Sequence, residues 1–330
     1  MKCISKKTPL VLTVLILSFS IITGCGQEVT IENAYDVYES TKAYGLNSSE
    51  KNQEGSTFFG EDLCVAGAED QLSESVTASL SEAAGLFNLE EKSLEFGKNI
   101  HERIFPASTT KILTAYVALK HGDLSATTTV TEENLQLEAG STTCDLSVGD
   151  TVSLEQLLYG LMLCSGNDAA NAIADLISGS STEFAKLMNE EALALGATNS
   201  NFVNPHGLHD ENHYTTVYDM YLIFHAALEN ETFQTIINTK DHTGTFVNSS
   251  GATVSKEWKN SNKYINGEVP IPEGVQVVGG KTGTTSSAGY CLVLYSKKDG
   301  KVPYISIVYK ADSREHLYQE MTELLEEISK

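Results

Sequence analysis

Positive charge is what this chain has least of. Lysine and arginine total 22 against 44 aspartates and glutamates, a formal net charge of −22 over 330 residues. Holding a nucleic-acid backbone takes cations that neutralise phosphates, so nucleic-acid binding is excluded as a function class. A polybasic hold on anionic lipid is excluded with it. Cysteine is sparse and unpatterned: six residues, no CxxC and no metal-ligand spacing. No apolar run reaches the roughly 20 residues that a membrane-spanning helix needs. No internal repeat is visible, which removes solenoids and propellers. Tryptophan occurs once, at Trp258, and is read as packing. What remains is 41% hydrophobic and 20% charged, a globular balance long enough for one large domain or two small ones.

The first residues stand apart from any core. Lys2, Lys6 and Lys7 precede a short uncharged apolar run at 10–22, and small residues follow. That order makes a secretory signal over 1–24. Its end, Ile22-Thr23-Gly24-Cys25, resembles the lipobox of bacterial lipoproteins, which makes Cys25 the expected lipidation site. The other reading is an ordinary export signal with an incidental cysteine. Loss of 1–24 removes three lysines and no acid, taking the charge from −22 to −25. Export would permit disulfides, but the spacing of Cys64, Cys144, Cys164 and Cys291 does not demand them. Cys164 and Cys291 lie in apolar runs and are read as free buried thiols.

Residues 25–81 are rich in Ser, Glu, Gly, Asn and Thr, and their many acids face only Lys42 and Lys51. Apolar periodicity is weak there, so the expectation is an acidic flexible spacer. A short helix around 31–44, or a recognition segment, is the alternative. The folded domain is expected at 82–330. Residues 84–88 and 93–97 read as a strand pair around a turn. Ile112, Leu113, Tyr116, Val117 and Leu119 recur at helical spacing up to Gly122. Capping boxes at Ser153–Gln156 and Thr216–Asp219 open helices, and Ser181 is expected to cap another. Asn167 starts an alanine-rich helix that runs to Ile177. The segments VQVVGGKTG, AGYCLVLYS and VPYISIVYK read as strands. Lys298-Asp299-Gly300 turns a hairpin, and Asp312 with Glu315 caps a last helix. Helices gathered around an antiparallel sheet make an α+β fold, an α/β sandwich.

Three short motifs carry chemistry. Ser108 and Lys111, in PASTTK, are three apart at a helix start, so both side chains share one face. A serine hydroxyl is a weak nucleophile until a base takes its proton. A lysine is that base only when burial or a second cation lowers its pKa. Alone, S-x-x-K is weak, because it also describes a capping serine beside a surface lysine. Ser165-Gly166-Asn167 follows at a helix junction, and Lys281-Thr282-Gly283-Thr284 lies on a strand. S-x-x-K, S-D-N and K-T-G together are the signature of penicillin-recognising serine enzymes, and here the middle motif reads SGN.

Over about 82–328 the chain resembles the serine-type D-alanyl-D-alanine carboxypeptidases, the low-molecular-mass penicillin-binding proteins. PASTTKILTA, LMLCSGNDAANAIA, TNSNFVNPHGLHDENHYTTVYDM and GGKTGTTSSAGYCLV carry the likeness. It implies a β-lactamase/transpeptidase-like fold with an added helical subdomain. The implied substrate is a peptidoglycan stem peptide ending in D-Ala-D-Ala, with β-lactams as covalent inhibitors and no cofactor. In the implied roles Ser108 attacks, Lys111 takes its proton, and Ser165 relays a proton to the leaving amine. Asn167 holds Lys111 and the substrate amide. Lys281 depresses the pKa of Lys111 and, with Thr282, binds the terminal carboxylate. Gly283 lets substrate approach, and the backbone N–H groups of Ser108 and Thr284 form the oxyanion hole. The implied place is the outer face of a bacterial cytoplasmic membrane, with a lipid on Cys25 as anchor. The family's usual all-β domain and amphipathic tail are not expected here, and Thr284 stands where some members carry histidine.

Other readings stay in view. An endopeptidase or transpeptidase acting on cross-links would share every motif. A class A β-lactamase would need a Glu-x-x-x-Asn segment, which is not evident, and SDN rather than SGN. A wall-binding module without turnover would have lost Ser108, Lys111 or Lys281, and all are present. His206, His209, His213 and Asp210 resemble a metal cluster but are read as loop structure, so no metal is expected. Asp168 and Asp175 are read as helix-start and surface charges.

Overall fold

The segments read as strands pair where their turns dictate. β1 (Ala83–Asn88) and β2 (Ser93–Lys98) form one hairpin. Asp299 and Gly300, both at positive φ, turn the chain between two strands of the second half. The structure, a computed structural model, describes residues 60–77 and 79–330. The expected signal at 1–24, Cys25 and the helix candidate at 31–44 lie outside the described residues. One antiparallel sheet runs β2-β1-β9-β8-β7, with β7 (Val275–Thr285), β8 (Gly289–Lys298) and β9 (Val302–Ala311) as a meander.

Alternation along these strands feeds two cores. Cys291, Val293 and Tyr295 of β8 and Ile305, Ile307 and Tyr309 of β9 enter the larger one. Leu292, Leu294, Tyr304 and Val308 enter the smaller one. A sheet covered on both faces reads as continuous apolar runs, which is how these strands read in sequence. The last helix, Arg314–Ser329, closes the smaller core with Leu317, Met321, Leu324, Leu325 and Ile328 on one stripe.

The other face carries the remaining helices except one. They are α1 (Lys111–His121), α2 (Leu154–Met162), α3 (Asn167–Ser178), α4 (Ser181–Ala194), α5 (Val217–Leu228) and α6 (Glu231–Asn238). The exception is the one-turn α7 (Lys263–Asn266), whose Tyr264 packs into the smaller core. The last helix is therefore α8. The whole is the expected α+β sandwich. The caps at Ser153 and Thr216 are those foreseen. Two caps move by one residue. Ser180, not Ser181, accepts from Glu183 N, and Ser313, not Asp312, accepts from His316 N. Asp312 bonds the His316 side chain instead.

A second sheet was not foreseen. It runs β3-β4-β5-β6, from β3 (Thr127–Thr129), β4 (Thr151–Ser153), β5 (Asp241–Val247) and β6 (Thr253–Lys259). These strands are short, mostly exposed and threonine-rich, so they carry little apolar period. Trp258 of β6 is buried, donates to Cys144 O at 3.2 Å, and lies flat on Gly244. A Cβ at Gly244 would stand 2.3 Å from its ring.

The end of the expected spacer is docked. Gln71 forms a bridge with Gly97, and Cys64 is buried with its N–H on Tyr221 OH at 2.7 Å. Three glutamates on one face of α8, at i, i+3 and i+7, hold the segment before β1. Glu320 accepts from Leu80 N and Ser81 Oγ, Glu323 from Thr77, and Glu327 from Ser73 and Ser75. Docking of this kind uses isolated anchors and polar bonds across some 240 residues of chain. It leaves no periodic signature, which is why composition suggested a flexible linker.

Candidate active site

A turn, a helix junction and an edge strand converge on one cluster of hydroxyls and amines. Ser108 lies in a 3₁₀ turn, Ala107–Thr110, that runs directly into α1. The turn is pinned from both sides. Thr109 Oγ1 donates to Pro106 O (2.7 Å) and meets Tyr309 OH of β9 at 2.8 Å. Ala107 holds a positive φ of 47° with its carbonyl packed against Gly207. A Cβ at Gly207 would come within 1.9 Å of that carbonyl oxygen, so only glycine fits there. Ser165, between α2 and α3, also sits at positive φ, 63°. Both are non-glycine residues in a costly backbone region, which the surrounding packing must impose.

Lys111 is completely buried, and its amine reaches three acceptors. Nζ lies 3.1 Å from Ser108 Oγ, 2.6 Å from Asn167 Oδ1 and 2.7 Å from His206 O. None of these is a carboxylate. Burial, and after it the positive charge of Lys281, hold its pKa well below the ordinary 10.5. Asn167 Oδ1 and a backbone carbonyl can only accept, so they take both N–H bonds of a neutral amine. The amine's lone pair is then left facing Ser108 Oγ. In that state the serine proton points at the lysine, the arrangement a built-in base requires.

Lys281, on β7, is 1% exposed, and its Nζ donates to Ser165 Oγ at 3.0 Å and Thr282 O at 2.9 Å. Two of its three donors are thus used among the described residues. Burial brings its pKa down to about 7. Ser165 accepts from Lys281, so its own proton is free to be donated elsewhere. The backbone of β7 approaches the serine turn closely. A Cβ on Gly283 would stand 3.1 Å from Ser108 N and 3.0 Å from Pro106 O. Thr282 Oγ1 pairs with Ser261 Oγ at 2.6 Å. The Thr284 side chain is exposed and turned back to Gly283 O.

A sequence profile of the D-alanyl-D-alanine carboxypeptidase family matches residues 81–313. The chain belongs to this family. It is 33% identical to the D-alanyl-D-alanine carboxypeptidase DacF of Bacillus subtilis over 251 residues, 74% of this chain and 61% of that protein. Against the D-alanyl-D-alanine carboxypeptidase DacC of Escherichia coli it is 35% identical over 237 residues, 69% of this chain and 56% of that one. The match therefore spans about three fifths of the curated relatives' own length. Among solved structures, the Streptomyces K15 DD-transpeptidase is 31% identical with a TM-score of 0.70, covering 76% of this chain and 97% of that chain.

Within this family member the motif residues form two hydrogen-bonded groups, Ser108–Lys111–Asn167 and Ser165–Lys281, with Thr282 and Gly283 adjoining. Several neighbours of the site were not given these parts by the sequence. The carbonyl of His206 anchors Lys111, and the signal for it is the PHG turn that Gly207 makes possible. Ser261 pairs with Thr282. Asp168, read as a helix-start charge, is completely buried and accepts from Cys144 N, Leu146 N and Ala169 N, tying the 142–146 loop to α3. Cys144 itself packs behind Gly166. Asp175 accepts from Asn134 Nδ2 at 2.6 Å.

The histidines serve the loop. His213 Nδ1 accepts from Val203 N, which leaves Nε2–H to donate to Thr110 Oγ1 at 2.8 Å. His206 Nδ1 accepts from Leu208 N. Burial, then the charge of Lys111, bring the His206 pKa down to about 3, and burial brings His213 to about 4. Both are neutral at pH 7. Among the described residues no group of three His, Cys, Asp or Glu side chains is placed to hold a metal.

Proposed function

We propose that the chain is a serine-type D-alanyl-D-alanine carboxypeptidase acting on peptidoglycan stem peptides outside the cytoplasm. The observation that carries the proposal is the Lys111 amine, buried without a carboxylate and 3.1 Å from Ser108 Oγ. Neutral Lys111 takes the proton as Ser108 attacks the carbonyl between the two D-alanines. The N–H groups of Ser108 and Thr284 receive the developing oxyanion. Ser165 passes a proton to the departing amine, and the terminal D-Ala leaves. Water then hydrolyses the ester on Ser108. The free donor of Lys281, with Thr282, receives the substrate's terminal carboxylate, and Asn167 steadies Lys111 and the substrate amide. The β7 edge offers main-chain bonds to an extended peptide. A β-lactam presents its strained amide to the same serine.

The test is release of D-Ala from a diacylated L-Lys-D-Ala-D-Ala tripeptide. Wild type releases it and Ser108→Ala does not. Equal release by both would overturn the proposal. Transfer of the acyl group to an amine instead of water is the second reading. It is favoured by the likeness to the Streptomyces K15 DD-transpeptidase across 97% of that chain. Adding glycine or a diamine as acceptor and finding transferred product in place of hydrolysed product would select it. Lipidation of Cys25 would hold the enzyme at the outer membrane face. Labelling with palmitate that persists in Cys25→Ala would exclude that anchor.

A further inference from the structure

Two cysteines that sequence left unpaired meet behind the site. Cys144 Sγ lies 3.2 Å from Cys164 Sγ. Cys164 ends the turn after α2 and directly precedes Ser165. Cys144 sits in the loop that Asp168 clamps, and Asp168 directly follows Asn167. The sulfur contact before Ser165 and the Asp168 clamp after Asn167 therefore hold the loop against the chain on both sides of the Ser165-Gly166-Asn167 motif. The space around Cys144 is kept open by glycine. A Cβ at Gly166 would stand 2.0 Å from its sulfur, and one at Gly160 would stand 2.5 Å away. Cys164 is half-buried and reachable, whereas Cys144 is 2% exposed. Cys64 and Cys291 are buried elsewhere and unpaired.

We propose that Cys144 and Cys164 are the site of a disulfide formed when the enzyme meets an oxidising exterior. This goes beyond the peptidase reaction and stands independently of it. Closing a bond of about 2.05 Å needs roughly 1 Å of relative movement of the sulfurs. The oxidant is a small or protein disulfide. The thiolate of Cys164 attacks it, forming a mixed disulfide and releasing one thiolate. The thiolate of Cys144 then attacks the Cys164 sulfur and releases the second. Two protein thiols are oxidised, one external disulfide is reduced, and the two protons end on the released thiols. The product fixes the 142–146 loop to the motif without altering any residue in contact with substrate.

The experiment uses the full chain, purified without reductant and incubated with glutathione disulfide. It is quenched by denaturation in iodoacetamide, then digested and mapped. The expected result is a cross-linked peptide joining Cys144 to Cys164 and loss of alkylation at both. Cys64 and Cys291 remain alkylated, and reductant reverses the link. In Cys164→Ser, Cys144 is expected to be alkylated in full. Full alkylation of both cysteines in wild type would overturn the proposal. So would a glutathione adduct that stays on Cys164, or protection of Cys144 that persists in Cys164→Ser.

Discussion

Lys111 and Lys120 stand near opposite ends of α1, and only one has a carboxylate. Lys120 is half-exposed and bonds Glu191 Oε2, while the neighbouring His121 bonds Glu191 Oε1 at 2.7 Å. Its pKa rises, first because of that bond. It also sits where the helix dipole favours a cation. Lys111 sits at the other end, where the dipole disfavours one. Its acceptors are a hydroxyl, an amide and a carbonyl, and the charge that acts on it most strongly is another lysine, Lys281. The same side chain on the same helix thus has its pKa raised at one end and held well below 10.5 at the other. What separates them is burial and then the charge of Lys281 at one end, and the carboxylate of Glu191 at the other.

The largest effect that breaks this comparison comes from truncation at each end. Lys111→Ala should slow acylation of Ser108 by about 10²–10⁴-fold, the scale of a general base. Lys120→Ala should leave acylation unchanged. Rates from intact mass after timed benzylpenicillin exposure check both. Next is Lys281→Met, which removes the second cation. It should weaken binding of carboxylate-ended peptide by about 10–100-fold, from a lost charge-assisted bond of ~1.5–3 kcal/mol. It should also raise the acid limb of the acylation profile, because Lys111 no longer feels a neighbouring charge. An unmoved limb would leave burial as the sole cause.

Two smaller effects test carboxylates that are satisfied. Glu320 is fully buried and answers Leu80 N and Ser81 Oγ. Glu320→Ala should cost about 1–3 kcal/mol by leaving a backbone N–H unpaired, and should speed proteolysis within 60–80. Glu191→Ala makes Lys120 resemble Lys111 in lacking a carboxylate. Burial raises the Glu191 pKa, but the bonds from Lys120 and His121 outweigh it, so the net shift is below the ordinary 4.5. The ion pair therefore stabilises the fold above pH 4.5 and loses that contribution as pH falls through the lowered value. The substitution should cost about 1 kcal/mol or less at neutral pH and nothing in strong acid. Urea unfolding at both pH values checks it.

The part of this comparison that concerns Lys111 was legible in sequence, because Ser108 and Lys111 lie one helical turn apart and motif order supplied Ser165, Asn167 and Lys281. The strands of the main sheet and the stripe on α8 were legible too, since both feed large apolar cores. Partners set by loop geometry were not. His206 acts through its backbone carbonyl, which any residue carries. Asp168 looks like a helix-start charge until the loop that it clamps is placed above it. The second sheet and the docked 60–81 segment rest on threonines, asparagines and single anchors, which leave no period to read. Cys144 and Cys164 meet only because the loop folds back over the junction.

The pH dependence of Ser108 acylation by benzylpenicillin in the wild-type enzyme, followed by intact mass, tests the central claim most directly. A neutral Lys111 predicts full reactivity at neutral pH, with an acid limb far below the 10.5 of an ordinary lysine. A rate that climbs tenfold per pH unit through neutrality toward pH 10 would mean that Lys111 is an ordinary cation, and would contradict the account.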